Sequence, residues 1–505
     1  MDKTRTNRQT DTHLPAAFKE MLADAFGKDV AEKAVSAMSE PSSAFIRLNP
    51  FKQAVPPPAF LERATPVEWS HWSYRLDERP VYTLHPLFHC GAYYVQDSSS
   101  MFVGEMLRRG MDGLDVGGRN VRALDLCAAP GGKTTDLTAS LRESFGDRFI
   151  VVANEYVKSR CQILSDNLAL WGEPNVVITN EDPKKFSDLE AFFDIMITDV
   201  PCSGEGMFRK DSTAVDDWSP ELVAMCRDRQ RKILRDVWKA LRPGGLLLYS
   251  TCTFNRKEND LNALWIEEEL GAENITPEMD YPGVLKTEKG YSLVPGLVDG
   301  EGQYCALFRK KQLESEAVFV PEDDASRCGA GCKSYGLTDA STAKANGAKQ
   351  RKASLVKKNP KSGFRLSASF PDGAFRIEMR QQVVADIIRA VPLVILPEVE
   401  YIESAMRTVR AGVTAGQIKG NDIVPTSDMA LSTAVSDDFW PDVKVDRSTA
   451  LSYFHRDSIT LPPDTPKGFV TLSFKDLKIG FVKNIGNRCN NLHPMSRRIL
   501  MDIPK

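Results

Sequence analysis

Short apolar runs alternate with amphipathic stretches between residues 121 and 249, and this alternation is the strongest structural pattern in the chain. The apolar runs lie at residues 121–126, 150–153, 176–178, 195–197 and 245–249. Between them, residues 133–141, 157–171 and 220–241 have helical periodicity. Near-continuous apolar strands separated by helices are typical of a parallel sheet covered on both faces. We therefore predict an α/β domain, with two further strands at 291–294 and 304–308 that close the sheet in the antiparallel direction.

The region before this domain has a mixed pattern. Residues 14–38 are periodic like a helix and residues 44–49 are patterned like a strand, before three prolines at 56–58 break the pattern. A further helix is expected through Met106, with serines at 98–100 available to cap its start. These features predict a small mixed N-terminal unit.

The region after residue 370 is expected to contain a helix at 379–391 and a strand at 393–396. Residues 468–474 and 477–483 alternate with period two on either side of Lys475 and Asp476. The last segment is therefore predicted to be a small β-rich module.

Composition narrows the class of protein. With 42% hydrophobic and 26% charged residues among 505, the chain has an ordinary globular composition, and no apolar run approaches bilayer-spanning length. The first ten residues lack the apolar core of a signal peptide. Ten cysteines without framework spacing fit a reducing compartment, so we expect a cytoplasmic protein with free thiols, working as a monomer. The net charge of −3 argues against a uniformly basic nucleic-acid binder.

A glycine-rich turn joins the first predicted strand of the α/β domain to its first helix. The turn consists of Cys127, Ala128, Ala129, Pro130, Gly131, Gly132 and Lys133. It has neither the P-loop spacing nor the dinucleotide fingerprint, but such a turn brings backbone amides close to a ligand. Asp125, Glu155 and Asp182 end three successive strands, which is the layout for an adenosine-containing ligand without a pyrophosphate.

Two cysteines lie where later strands run out into loops. Cys202 follows Asp199 in Asp-Val-Pro-Cys, and Cys252 follows Ser250 in Ser-Thr-Cys. Ligands and catalytic groups collect at this edge of an open α/β sheet. The pair suggests a sulfur nucleophile and a sulfur helper, and chemistry alone leaves open which cysteine attacks.

These three motifs, in this order and spacing, closely resemble the Nop/Sun family of S-adenosylmethionine-dependent RNA cytosine methyltransferases. The similarity extends over residues 14–311, and residues 468–494 resemble the PUA-like module of the bacterial RsmF-like branch, which acts on small-subunit ribosomal RNA. The resemblance implies a Rossmann-like methyltransferase sheet with a small mixed N-terminal unit and a C-terminal PUA-like β-rich module. It also implies the cofactor S-adenosyl-L-methionine, contacted by residues 127–133, Glu155, Asp182 and Asp199.

The resemblance further assigns roles to the reactive residues. Carbon 5 of cytosine is a poor nucleophile, so a thiolate adds at carbon 6 first; in the family this thiolate belongs to the residue matching Cys252. The residue matching Cys202 assists release, and Asp199 lies between cofactor and base. Because a thiol is mostly protonated at neutral pH, a positive charge must favour the thiolate, and the candidates are Lys210, Arg209 and the cationic sulfonium of the cofactor. Lys133 has two interpretations, a solvated helix-start lysine or a residue near the cofactor or base.

The pattern and the resemblance together divide the chain into six segments. They are a disordered N-terminus (1–13), an RNA-binding helper region (14–115), the catalytic domain (116–311), a flexible basic linker (312–365), an intermediate domain (366–458) and the PUA-like RNA-binding module (459–505). Residues 344–365 of the linker carry eight Lys or Arg and no Asp or Glu, which fits either a solvated linker or a phosphate contact. Cys328 and Cys332 lack further ligands nearby, so no metal site is predicted.

RNA is the expected partner, in the form of small-subunit (16S) ribosomal RNA or the assembled subunit, with neither DNA nor a membrane. Transfer RNA is the alternative substrate, and a non-catalytic ribosome-assembly protein is the alternative from another class. Three aromatic residues are candidates either for stacking a base or for the core: Tyr93, Tyr94 and Phe208. The candidate phosphate contacts outside the linker are Arg47, Lys52, Arg209, Lys210, Lys483, Arg488, Arg497 and Arg498.

Overall fold

The N-terminal unit is a four-stranded antiparallel sheet with helices in the computed structural model, which describes residues 14–53, 58–114, 116–312 and 368–503. Its elements are α1 (Ala16–Phe26), α2 (Lys28–Met38), β1 (Ala44–Leu48), β2 (Thr65–Val67), β3 (Ser70–Leu76), α3 (Pro86–His89), β4 (Tyr93–Val95) and α4 (Ser98–Gly110). The N-terminus at 1–13, the basic run at 344–365 and the pair Cys328/Cys332 lie outside the described residues.

Two local expectations for this unit are corrected. The helical stretch over 14–38 is two helices, because Gly27 adopts a φ of 85° that interrupts helical hydrogen bonding. The cap of α4 is Asp97 rather than a serine, since its carboxylate accepts a hydrogen bond from the Ser100 amide at 3.3 Å.

The catalytic region follows the predicted alternation of strand and helix. Its elements are β5 (Val121–Asp125), α5 (Gly132–Phe145), β6 (Phe149–Asn154), α6 (Lys158–Trp171), β7 (Val176–Thr179), β8 (Phe193–Asp199), α7 (Ser212–Asp217), α8 (Pro220–Val237), β9 (Leu241–Thr251), α9 (Asp260–Glu269), β10 (Ala272–Asn274), β11 (Val284–Lys286), β12 (Tyr291–Leu293) and β13 (Gln303–Lys310).

The strands β5 to β9 pair in parallel, in the order β9-β8-β5-β6-β7. β13 and β12 then continue the sheet antiparallel beyond β9, as the sequence predicted. Both faces are buried: Ala123 of β5 belongs to one apolar cluster and Leu124 to the other. Since the parallel strands all end at one edge, the loops after β5, β6, β8 and β9 lie along that edge.

The C-terminal part forms two four-stranded sheets and adds one strand to the catalytic sheet, counted over the described residues. Its elements are β14 (Met379–Val384), β15 (Ile387–Pro392), α10 (Leu396–Ala405), β16 (Thr408–Ala411), β17 (Val413–Lys419), β18 (Asp422–Pro425), α11 (Ser427–Leu431), β19 (Asp442–Lys444), α12 (Arg447–His455), β20 (Gly468–Phe474), β21 (Leu477–Asn484) and β22 (Cys489–Asn491).

Two predictions for this part are wrong. Residues 379–391 form the hairpin β14–β15 and not a helix, with a turn that places Ala385 at a φ of 58°. Residues 393–395 form a short 3-10 turn and Leu396 begins α10, because Pro397 suits the first turn of a helix and not a central strand.

The hairpin β20–β21 agrees with the sequence pattern. Its two-residue turn places Lys475 and Asp476 at φ of 50° and 64°, the conformation that matches the twist of an antiparallel pair. An unpredicted feature is β16, which pairs antiparallel with β7 and so extends the catalytic sheet from the C-terminal part. The division into six segments stays a prediction. Among the residues that the structure describes, no helix has the length and apolarity needed to cross a membrane.

Candidate active site

The two motif cysteines meet at the edge where the parallel strands end. Strands β8 and β9 are parallel neighbours with Asp199 opposite Ser250, so the loops that follow them start side by side. The sulfur of Cys202 lies 3.1 Å from the sulfur of Cys252, and both side chains are half-buried. The structure thus brings together two thiols that are 50 positions apart in the chain.

The two sulfurs are not equivalent. The hydrogen bond to Cys252 is the largest cause that raises the pKa of the Cys202 thiol well above its ordinary value, followed by burial and by the negative charges of Cys252 and Glu258. The raised pKa favours the protonated form of Cys202, and in the contact of 3.1 Å either sulfur can be the donor.

A half-buried ion pair lies near the cysteines. The ammonium of Lys133, at the start of α5, donates to Asp199 Oδ2 at 2.9 Å. Burial alone would lower the pKa of Lys133, but the Asp199 carboxylate, with smaller contributions from Cys252 and Asp125, outweighs it and raises that pKa. Lys133 is therefore charged at neutral pH and interacts electrostatically with Cys252, so its interpretation as a solvated lysine is wrong.

The two cationic side chains expected to favour the Cys252 thiolate lie elsewhere. Lys210 pairs with Glu301, with 3.3 Å between Nζ and Oε1. Arg209 donates to the backbone carbonyls of Glu40, Pro41 and Gly300. Both side chains hold the loop after Cys202 against neighbouring segments.

The other oxygen of Asp199 is also held in place. Asp199 Oδ1 accepts hydrogen bonds from Ser250 Oγ at 2.9 Å and from Gln303 Nε2 at 3.2 Å. Sequence reasoning missed both donors. Ser250 is part of the Ser-Thr-Cys motif and could have been found there, whereas Gln303 lies on the antiparallel strand β13 with no motif around it.

The glycine-rich turn lies next to two buried carboxylates. Asp125 Oδ2 accepts a hydrogen bond from Thr134 at 2.6 Å, while its Oδ1 is buried and makes no hydrogen bond within the described part of the chain. Glu155 Oε1 accepts from the Val157 amide, and its buried Oε2 makes no hydrogen bond, although the Arg160 guanidinium lies 3.3 Å away. Two buried acceptor atoms therefore remain for the donors of a ligand.

The remaining residues of the glycine-rich turn allow its backbone to come close to a ligand. Gly131 has a φ of 114°, which a side chain rarely adopts, and it caps α5. The third predicted acid, Asp182, is exposed and caps the next short helical turn by accepting from the Lys184 amide at 2.9 Å. Its role toward a ligand stays a prediction.

Three family models match successive parts of the chain. Residues 117–309 match the model of the 16S rRNA methyltransferase RsmB/F, residues 14–98 the N-terminal domain of the 16S rRNA methyltransferase RsmF, and residues 441–499 the RsmF PUA domain. Over these three ranges the chain is similar to 16S rRNA methyltransferases of the RsmB/F type. The resemblance and the fold class predicted from the sequence are both confirmed. The PUA match begins upstream of the boundary predicted at 459.

The chain is similar to named bacterial proteins and to a solved structure. Ribosomal RNA small subunit methyltransferase F from Pectobacterium atrosepticum is 33% identical over 319 residues, which are 60% of this chain and 63% of the relative. The protein of the same name from Salmonella agona is 33% identical over 322 residues, covering 60% and 64%. This chain thus spans less than two thirds of the length of either relative. The crystal structure of PH0851 superposes with a TM-score of 0.51 and 22% identity over 59% of this chain and 66% of that one, which shows the fold alone.

Most of the residues predicted to contact RNA pack in the core or bond other parts of the protein. Tyr93 and Phe208 lie in the apolar core, whereas Tyr94 is half-buried and donates to the Pro130 carbonyl in the glycine-rich turn. Arg47 is 2% exposed and donates to the Gly132 carbonyl, so it fixes the start of α5 and cannot reach a phosphate. For Tyr93 and Phe208 the structure agrees with the core interpretation, whereas for the buried Arg47 the predicted phosphate contact is wrong.

The other basic candidates divide into paired and exposed groups. Lys52 is buried and donates to the carbonyls of Cys90 and Leu170, and burial lowers its pKa to about 7. Arg497 pairs with Asp166 and Asp428, and Lys483 pairs with Asp422. Arg488 and Arg498 are exposed, and they remain candidates for phosphate contacts.

Replacing Asp125 with asparagine is expected to stabilise the fold at high pH. Burial, opposed by the Thr134 hydrogen bond, raises the pKa of Asp125 from 3.8 to about 7. Because this pKa is raised, the stability that the carboxyl contributes is present below pH 3.8 and is lost as the pH rises to about 7. The stability that the protein loses between these pH values is at most about 4 kcal/mol. In the variant the asparagine amide is itself unsatisfied, so the net stabilisation at high pH is on the order of 2 kcal/mol.

Urea unfolding of Asp125→Asn and of the unchanged protein at pH 5 and pH 8 measures this effect. The advantage of the variant should be larger at pH 8 than at pH 5. Asp188→Asn, which changes an exposed carboxyl, should show no such dependence. An equal difference at both pH values would contradict the raised pKa of Asp125.

Proposed function

We propose that this protein transfers a methyl group from S-adenosyl-L-methionine to carbon 5 of a cytosine in small-subunit ribosomal RNA. The observation that carries the proposal is the contact of 3.1 Å between the sulfurs of Cys202 and Cys252, beside the ion pair of Lys133 and Asp199. This arrangement fits a reaction in which a sulfur must first add to the base so that one of its carbon atoms can attack the methyl group. The named relatives, which are ribosomal RNA small subunit methyltransferases, support the choice of substrate.

The residues around the glycine-rich turn fit the cofactor. The unsatisfied Asp125 Oδ1 and Glu155 Oε2 offer acceptors for its hydroxyl and amino groups. The amides at the start of α5 face the same edge of the sheet. Asp182, Asp199 and residues 127–133 complete the proposed set of contacts. When bound, the cofactor supplies an electrophilic methyl group.

Cys252 acts on the base as the nucleophile. Its thiolate forms a bond to carbon 6 of cytosine, and the electron pair of the former double bond makes carbon 5 reactive toward the methyl group. Lys133 stabilises the thiolate before the attack. Asp199, held by Ser250 and Gln303, is positioned to hydrogen-bond the ring nitrogen or amino group of the base. Because Cys252 is half-buried, the target base must be unpaired or flipped out.

Cys202 acts at the release step. Once Cys252 is bonded to carbon 6, it no longer accepts the hydrogen bond that is the largest cause of the raised pKa of Cys202. The Cys202 proton can then pass to solvent, and the resulting thiolate removes the proton from carbon 5. The double bond re-forms, Cys252 leaves as a thiolate, and the starting arrangement of one thiol and one thiolate is restored.

Methyl transfer from radiolabelled cofactor tests the proposal. Purified protein is incubated with unmethylated small subunits, their free ribosomal RNA or transfer RNA, and methylated cytosines are mapped by bisulfite sequencing. We expect 5-methylcytosine in small-subunit ribosomal RNA. Label in transfer RNA alone would refute the proposed substrate, and no label in any RNA would favour the non-catalytic alternative.

Cys202→Ala is expected to trap the covalent intermediate. Attack by Cys252 needs no group from Cys202, whereas release does, so a protein–RNA adduct should accumulate and appear as a slow band on a denaturing gel. Turnover should fall by about a hundredfold, the contribution of a lost general base. Cys226→Ala, which removes a buried thiol of α8, is the control and should form no lasting adduct. Free release by Cys202→Ala would exclude Cys202 from this step.

A further inference from the structure

Two carboxylates join the loops that carry the cysteines. Glu205, in the loop after β8, accepts hydrogen bonds from the Phe254 amide at 2.6 Å and from Asn255 Nδ2 at 2.9 Å, both in the loop after β9. Glu258, in the loop after β9, reaches back and accepts from the Ser203 amide at 3.1 Å. Each loop thus supplies a carboxylate to the other, and Ser203 is the residue next to Cys202.

Glu258 joins the two loops with a charged side chain in a buried position. Its side chain is fully buried, and its other hydrogen bonds come from Gln230 Nε2 at 2.7 Å and Asn255 Nδ2 at 2.8 Å. All of its hydrogen-bond partners in the described part of the chain are neutral, so the cost of burying the charge is not offset by a cation. Burial, opposed by the Ser203 and Asn255 hydrogen bonds, raises the pKa of Glu258 to about 7. Both carboxylate oxygens accept hydrogen bonds here, so a neutral amide, which has one acceptor oxygen, would leave at least one of these donors unmatched.

The negative charge of Glu258 affects one group that takes part in the proposed reaction, the thiol of Cys202. The titratable groups that interact with it are Glu205, Cys202, Cys226 and Tyr249. Of these, only Cys202 contacts the sulfur of Cys252. A carboxylate beside Cys202 opposes a second negative charge on that sulfur, and therefore favours the arrangement in which the proton stays on Cys202 and the charge on Cys252.

We propose that Glu258 is a positioning residue that decides which of the two sulfurs holds the proton, through its bond to the Ser203 amide and its negative charge. The proposal rests on the proposed function in using Cys252 for attack and Cys202 for release. It adds a cause for that division of labour, which the sequence left open. Glu258 touches neither the base nor the cofactor in this role, since it acts through Cys202.

Alkylation of the free protein tests the charge directly, without RNA or cofactor. Iodoacetamide is added at pH 7.5 for short times, and the labelled fractions of Cys202 and Cys252 are measured by peptide mass spectrometry. The unchanged protein should be labelled first at Cys252. In Glu258→Gln, which keeps the volume of the side chain, the ratio of Cys202 to Cys252 labelling should rise by about tenfold, the change in thiolate fraction that one pKa unit produces.

Glu205→Gln is the matched control. It removes the charge of the other buried carboxylate that joins the two loops, but Glu205 bonds the side chain of Ser203 and not its backbone amide. The labelling ratio should stay close to that of the unchanged protein, and circular dichroism should show both variants folded. An unchanged ratio in Glu258→Gln, or an equal rise in Glu205→Gln, would overturn the proposal.

The lifetime of the covalent RNA adduct provides the second measurement. Glu258→Gln should lengthen the lifetime more than it slows adduct formation, and it should add nothing when combined with Cys202→Ala. A longer lifetime on the Cys202→Ala background would show that Glu258 acts independently of Cys202 and would refute the proposal. If the protein forms no adduct at all, the proposed function fails, while the alkylation result still decides the role of Glu258.

Discussion

Cys252→Ala is expected to abolish both methyl transfer and the covalent RNA adduct, with turnover falling by at least about a thousandfold, as for loss of a nucleophile in other covalent enzymes. The remaining sulfur cannot replace it. In the variant the hydrogen bond to Cys252, the largest cause of the raised pKa of Cys202, is lost, but burial and the negative charge of Glu258 still raise that pKa. The measurement is transfer of labelled methyl groups to small-subunit ribosomal RNA, with denaturing gels for the adduct.

The controls distinguish the two cysteines from each other and from other thiols. Cys226→Ala should retain turnover close to that of the unchanged protein. The double variant Cys202→Ala/Cys252→Ala should be as inactive as Cys252→Ala alone, because no step after the attack can be reached. An adduct formed by Cys252→Ala but not by Cys202→Ala would show that the two roles are reversed.

The catalytic sheet could be predicted from the sequence because its parallel strands are buried on both faces. Such strands read as short continuous apolar runs, and β6 is buried along its whole length. The hairpin β14–β15 could not be predicted in the same way. One of its faces is only partly covered, so its residues lack both continuous apolarity and clean alternation. Strand β16 was missed because its place depends on the free edge of β7, far away in the chain.

The sequence allowed us to predict the site residues that lie at the ends of strands. Cys202, Cys252 and Asp199 each come directly after an apolar run, and parallel strands bring their ends together. Side-chain pairing across the sheet was not predictable. Lys133 reaches Asp199 over 66 positions, whereas Lys210, close to Cys202 in sequence, turns to Glu301. Nearness in the chain was therefore a poor guide to which cation lies beside the thiol.

Lys133→Met should slow adduct formation by about a hundredfold at neutral pH, because it removes the ammonium that favours the Cys252 thiolate and holds Asp199. Asp199 keeps its bonds to Ser250 and Gln303, so the loss should come from charge more than from displacement. The rate of iodoacetamide labelling at Cys252 should fall below that of the unchanged protein at pH 7.

Lys210→Met is the matched control, since it removes the cation that sequence proximity favoured. Its ammonium pairs with the buried carboxylate of Glu301, so its loss should cost stability there, but it should leave the labelling rate of Cys252 within about twofold of the unchanged protein. A larger loss in Lys210→Met than in Lys133→Met would contradict the geometry. An equal loss in both would mean that the thiolate depends on the total charge around the site, and not on one ammonium held beside Asp199.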